Sequence, residues 1–207
     1  MRKVLEFIAV YSLCYLVACS SPYDTAPTRT RESFDNDWLF LLSNVEGAEA
    51  VEYDDSDWRR VNLPHDWAIE GDFSADNPSG YAGGALPGGV GWYRKHFVVD
   101  SSDLANGKRI YLDFDGVYML STVYVNGIST GTRPYGYISF RRDRTPLLHQ
   151  GENVVAVEVY RNSDGSFLEA QDMFRLPGIF RTVSLTSNCN RTRAGIVAVA
   201  YIATYGW

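Results

Sequence analysis

Cysteine is nearly missing from this sequence: Cys14, Cys19 and Cys189 are all that 207 residues contain. No two of them are spaced as CxxC, so neither a disulfide framework nor a thiolate metal site is expected. Histidine is as scarce, and His65, His96 and His149 are scattered along the chain in no zinc-ligand pattern. None sits in a nucleophile motif of the Ser/His/Asp kind, and neither a phosphate-cradling loop nor a dinucleotide fingerprint is present. Lysine is rare, and the formal net charge is −6. That balance argues against nucleic acid or an anionic membrane surface as a partner, since both want a basic face. No segment shows a convincing amphipathic helix, which removes every fold built on helix–strand alternation.

What is there is aromatic and β-branched. With 45% hydrophobic and 14% aromatic residues, the chain is long enough for one β domain of the larger sort with a core of its own. Trp38, Phe40 and Leu42 alternate, while Leu39 and Leu41 are apolar as well, which predicts burial on both faces of that strand. Further strands are predicted at Trp92 to Val99, Arg109 to Phe114, Ser121 to Val125, Gly136 to Phe140, Val154 to Tyr160 and Thr182 to Leu185. Asn126-Gly127 is a two-residue hairpin signal, because both central residues of a type I′ turn need positive φ. Ser101 to Leu104 reads as a short helical turn. Many short strands separated by turn signals predict an all-β antiparallel sandwich.

Two long stretches carry neither period. Ile69 to Gly91 is rich in glycine and contains Pro78 and Pro87, which no helix interior would tolerate. Ser163 to Arg181 mixes polar and aromatic residues between two strands. Structureless loops of this length are uncommon and often functional, so the second is expected to meet a polar ligand on a β platform.

The N-terminus is of another kind. Arg2 and Lys3 precede a mostly apolar run from Leu5 to Ala18, interrupted by Glu6, too short and too flawed for a comfortable membrane span. Leu16-Val17-Ala18-Cys19 resembles the lipobox of bacterial lipoproteins. That resemblance implies a signal peptide over residues 1–21, lipidation at Cys19, and a chain held in the bacterial cell envelope, in contact with membrane only through its lipid. A plain signal peptide cut near Ala18 is the alternative. Residues 22–32 are expected to be a tether, 33–187 the folded domain, and 188–207 an irregular tail at which the chain is expected to be truncated.

Within the domain, Phe34-Asp35-Asn36-Asp37-Trp38-Leu39-Phe40, Leu63-Pro64-His65-Asp66-Trp67, Gly91-Trp92-Tyr93-Arg94-Lys95 and Phe114-Asp115-Gly116-Val117-Tyr118 form an ordered series. Val123-Tyr124-Val125-Asn126-Gly127, Tyr135-Gly136-Tyr137-Ile138-Ser139-Phe140 and Gly151-Glu152-Asn153 continue it. From Ser33 to Leu185 this series resembles the N-terminal sugar-binding domain of family 2 glycoside hydrolases, and the loop Ser163 to Arg181 is similar to that of bacterial β-galactosidases. The resemblance implies a jelly-roll sandwich of the galactose-binding-domain kind with long loops. It implies two substrate-binding residues at the rim of a sugar pocket: Asp172, also a sodium ligand in such enzymes, and Asn77, from the Asn-Pro of the glycine-rich loop. A carboxylate and an amide supply the acceptors and donors that sugar hydroxyls require. Phe174, Ala170 and Pro177 depart from the β-galactosidase pattern. Trp38, Trp92 and Tyr124 are read as core aromatics. His65 and Asp66 either reach a ligand or pin their loop, and Arg175 and Arg181 are expected to brace theirs against carboxylates such as Asp115.

Retaining glycosidases need two carboxyl groups about 5 Å apart. In the family these lie on a barrel, the acid/base preceded by Asn, and this sequence contains no Asn-Glu dipeptide. No catalytic residue is therefore assigned, and the chain is expected to be inactive without a separate catalytic barrel. No cofactor is expected in the chain itself, with sodium implied only for a full-length enzyme. The expected partner is a β-galactoside-like carbohydrate; the alternative is a stand-alone carbohydrate-binding surface lipoprotein.

Overall fold

Period-two patterning becomes ten antiparallel strands in two packed sheets. The computed structural model describes residues 29–77, 84–167 and 175–189. The strands are β1 (Arg29–Ser33), β2 (Trp38–Leu42), β3 (Arg59–Val61), β4 (Val90–Val99) and β5 (Lys108–Phe114), followed by β6 (Leu120–Val125), β7 (Ile128–Arg133), β8 (Phe140–Asp143), β9 (Gly151–Tyr160) and β10 (Val183–Cys189). One sheet has four strands in the order β1-β10-β5-β8, and the other six in the order β3-β2-β4-β9-β6-β7. This is the all-β antiparallel sandwich that the sequence pattern predicts, and the jelly-roll class that the family resemblance implies. A single helical turn at Ser101–Leu104 precedes β5, also as expected. Among the described residues, no helix is long and apolar enough to cross a membrane.

The core lies between the sheets. Trp38, Phe40, Tyr93, Val123, Val125, Val155, Val157 and Val159 face inward from the larger sheet, and Ile110, Leu112, Phe114 and Val183 meet them from the smaller. Trp38 is fully buried, and its indole nitrogen donates to the Phe34 carbonyl at 2.8 Å, so the ring is satisfied as well as packed. The hairpin between β6 and β7 turns at Asn126 (φ 49°) and Gly127 (φ 79°), the positive pair its sequence demands.

A second cluster covers the outer face of the larger sheet. Trp92 and Ala156 pack there with Ala48 and Trp58, flanked by Leu39, Leu41 and Tyr124. This is why β2 is apolar on both faces, and it makes Trp92 and Tyr124 packing residues, stacked at 6.0 Å. The covering segment, residues 43–58, is irregular, so its carbonyls lack ladder partners. Arg94 supplies them. Its fully buried guanidinium donates to the carbonyls of Ala48 and Ala50 (2.9 Å) and to the Asp55 carboxylate (2.6 Å). Burial pushes the Asp55 pKa up, but the bonds from Arg94 and His96 outweigh it and leave the carboxyl below its ordinary value.

Three expectations are corrected. Arg29–Ser33 is an edge strand paired along its length with β10, not the end of a tether spanning 22–32. The same sheet carries β10 on to Cys189, two residues beyond the expected boundary. The strand predicted over Gly136 to Phe140 lies instead at Phe140–Asp143. Gly136 is packed against Tyr118, with an added Cβ falling 2.5 Å from that ring, so the alternating aromatics there serve loop packing and not a ladder. Residues 1–28, with Cys14 and the lipidation candidate Cys19, lie outside the described residues.

Removing Arg94 takes a donor from the half-buried Asp55 and from several carbonyls at once, so Arg94→Met should lower the unfolding free energy by about 3 kcal/mol or more. Arg60 pairs with Asp37 at 3.1 Å with both side chains about two-thirds exposed (67% and 69%), and Arg60→Ala should cost well under about 1 kcal/mol. Denaturant titration of both variants checks the contrast; comparable losses would refute it.

Candidate functional site

The register of the central pair decides where the long loops emerge. β4 and β9 pair over ten residues, from Val90 opposite Tyr160 to Val99 opposite Gly151. The connection entering β4 and the connection leaving β9 therefore meet at one end of the sandwich. β6 begins there too, with Leu120 opposite Tyr160. Both candidate loops, together with the segment that precedes β6, thus share one rim.

Backbone bonds stitch these segments together. Tyr118 and Gly178 exchange both hydrogen bonds at 2.9 Å, and the His65 amide donates to the Ile179 carbonyl at 2.9 Å. Gly178 has φ 108°, and a Cβ there would fall 2.5 Å from the Tyr93 hydroxyl and 2.6 Å from the His65 carbonyl. Only glycine lets the two chains approach this closely. The Trp67 indole donates to the Gly88 carbonyl at 3.2 Å and stacks on Phe40.

His65 proves to be one of these pins. Its Nδ1 lies 2.7 Å from the Tyr93 hydroxyl and its Nε2 3.1 Å from the Arg59 guanidinium. The Glu70 carboxylate also lies 3.3 Å from Nε2, so that nitrogen faces both a donor and an acceptor. Burial pushes the His65 pKa down, against the pull of Glu70, which favours the neutral ring. Burial likewise raises Tyr93 well above the ordinary phenol value.

Asp66 is different. It is 9% exposed, and one oxygen accepts from the Ala68 amide at 2.8 Å while the other has no hydrogen-bond partner among the described residues. Burial raises its pKa to about 6, only partly opposed by the Ala68 amide and the Arg161 charge. Arg161 is itself fully buried. It donates from Nη1 to the carbonyls of Leu86 and Pro87 (2.8 Å), and its Nη2 is 3.5 Å from the Arg175 carbonyl.

The expected rim residues fall unevenly. Asn77 is described, half-buried, and its amide nitrogen donates to the carbonyls of Asp72 (3.1 Å) and Ala85 (2.7 Å). Those bonds hold the glycine-rich loop and leave Oδ1 as the group it would offer a ligand. Asp172 lies outside the described residues, as do Ala170 and Phe174. Among the described residues, no three His, Cys, Asp or Glu side chains gather to hold a metal. The expected brace on Asp115 is corrected. Its partner is Arg31 at 3.4 Å, from the edge strand, while Arg181 lies over the Phe180 ring at 5.4 Å. Sequence reasoning missed Arg31 because β1 has no apolar period, and missed Arg161 because a single arginine after a strand carries no motif.

Comparison with known proteins places this architecture. The model of the glycosyl hydrolases family 2 sugar binding domain matches residues 32–189. The chain belongs to that family. It is 57% identical over 145 residues to a β-galactosidase of Bacteroides ovatus, covering 70% of this chain and 17% of that protein. It is 34% identical over 148 residues to a β-glucuronidase of Formosa agariphila, covering 70% of this chain and 15% of that one. A solved β-glycosidase from Bacteroides vulgatus superposes with a TM-score of 0.68 at 40% identity, over 75% of this chain and 20% of the other. The chain thus spans about a sixth of the length of these sequence relatives. The family 2 sugar-binding domain accordingly presents, at one end of its sandwich, a rim built from the two loops singled out by sequence.

The sign of the Asp66 effect is fixed by its direction. An unfolded chain ionises this carboxyl near the ordinary aspartate value of 3.8, and the folded chain only near 6. Ionising it therefore costs the folded state stability as pH rises through that window. Asp66→Asn removes the cost, so its unfolding free energy relative to the parent should climb by about 2–3 kcal/mol between pH 4 and pH 7. The carboxyls held low by partners, such as Asp55 and Asp113, are common to both proteins and cancel. A pH-independent difference in thermal unfolding would contradict this.

Proposed function

We propose that this domain holds the sugar end of a β-galactoside for hydrolysis carried out on a separate catalytic domain. The observation that carries the reading is the 57% identity to a β-galactosidase across most of the domain. The rim supports it: both loops expected to reach the sugar emerge side by side from β4 and β9. In this reading Asn77 offers Oδ1 and Asp172 its carboxylate to sugar hydroxyls, with Asp172 also a ligand to sodium where the full enzyme binds that ion. The lipobox-like segment ending at Cys19 supports attachment to the bacterial cell envelope through lipid, with the domain outside the bilayer.

The test is a hybrid in which this domain replaces its counterpart in the B. ovatus β-galactosidase. The hybrid should hydrolyse nitrophenyl β-galactoside, whereas the 207-residue chain alone should turn over nothing. Asp172→Ala in the hybrid should raise KM more than about fivefold, equivalent to more than the ~1 kcal/mol of an ordinary hydrogen bond. Unchanged KM and kcat would leave the loop purely structural and sink the proposal.

A further inference from the structure

One side chain reaches both rim loops. Arg161 follows directly on β9, and its amide donates to the Gly89 carbonyl at 3.2 Å where the glycine-rich loop enters β4. Its guanidinium bonds the carbonyls of Leu86 and Pro87 on that loop and approaches the Arg175 carbonyl on the other. A fully buried guanidinium is costly unless its donors are used, and here the two Nη groups are directed at backbone that has no ladder to join. The planar fork matters, since a lysine ammonium carries its three donors on one nitrogen, whereas Nη1 and Nη2 of arginine stand apart and reach carbonyls of two segments at fixed geometry. The Asp66 carboxylate, buried and half-satisfied, adds a charge that favours the cation in place.

We propose that Arg161 is a positioning residue of the sugar rim. Its guanidinium sets the glycine-rich loop and the 161–182 loop relative to each other, so that sugar affinity depends on a side chain that touches no sugar. The effect on affinity rests on the function proposed above; the clamp itself does not. The Asn77 amide bonds to Asp72 and Ala85, just before Leu86, so a displacement at Leu86 and Pro87 is passed to Asn77 along a short, hydrogen-bonded stretch. Positioning errors far smaller than a residue's width are enough to lose binding.

Hydrogen exchange on the whole 207-residue chain tests the clamp without any sugar. In Arg161→Lys, amides of residues 72–77 and 84–89 and those of 175–182 should exchange faster together, by roughly tenfold or more. The central strands β4 and β9 should keep the parent rates, which separates the effect from global unfolding. Arg161→Met, which keeps an unbranched apolar stem and loses every donor, should show the same joint loosening; if it fails to fold, the lysine variant alone decides. Loosening of one loop only, or of neither, would overturn the clamp. In the hybrid enzyme, Arg161→Lys should raise KM by more than about fivefold while kcat stays within about twofold. If Asp172→Ala raises KM and Arg161→Lys does not, the positioning role is overturned. If neither moves KM, the sugar-rim reading fails and takes the claim on affinity with it, while joint loosening would still establish the clamp.

Discussion

A guanidinium without access to water must find acceptors for its N–H groups, and an irregular chain lying on a sheet must find donors for its carbonyls. This molecule sets the two needs against each other twice. Arg94 and Arg161 are both fully buried, and both donate chiefly to backbone carbonyls of segments that belong to no strand. Arg94 fastens residues 43–58 over the outer face of the larger sheet; Arg161 fastens the loops at its rim. Each arginine extends from the central β4–β9 pair, or from the residue just past it, so the ten-residue ladder is the fixed frame from which the irregular parts are hung. Hydrophobic packing alone would collapse these segments onto the sheet without choosing their conformation. Directed bonds from a rigid planar group make that choice.

The same arrangement explains a polar rim on an apolar scaffold. The His65–Tyr93 bond, the Tyr118–Gly178 pair and the Trp67–Gly88 bond all lie where core meets loop. Each satisfies a polar group that burial would otherwise leave costly. Asp66, beside them, is held less fully, with one oxygen unsatisfied and its pKa pushed upward by burial.

The strands of the core were legible because burial on one or both faces leaves a period in the sequence. Trp38 and Phe40 face inward and Leu39 and Leu41 meet the covering segment, as their unbroken apolar run implied. The Asn126-Gly127 turn was legible because its backbone can be built by few other residues. β1 was not, since an edge strand that is largely exposed has no need of apolar alternation and is better protected by charge. The Gly136 to Phe140 segment misled for the opposite reason: its aromatics pack loop to loop, and packing imitates a strand's composition without its hydrogen bonds. The loops were legible as loops, and Asn77 as a residue with amide chemistry to offer. Their mutual placement was not, because it rests on the β4–β9 register and on one arginine that no local pattern singles out.

Among its relatives, a protein named as a β-galactosidase and one named as a β-glucuronidase match this same domain. A galactoside and a glucuronide differ at the sugar's substituents, whereas a sandwich core senses none of them. What the match covers is the domain described above, a stiff platform from which two long loops leave at one end. What distinguishes the sugars must be carried by side chains at the loop tips or on the catalytic domain. Such a division suits a rim whose ends are locked: with Gly178 packed against Tyr93 and His65, and with Leu86 and Pro87 held by Arg161, changes between the anchors can alter the surface offered to a ligand without moving the strands beneath. In this chain the buried arginine and the glycine thus separate where the loops are anchored from what lies between the anchors.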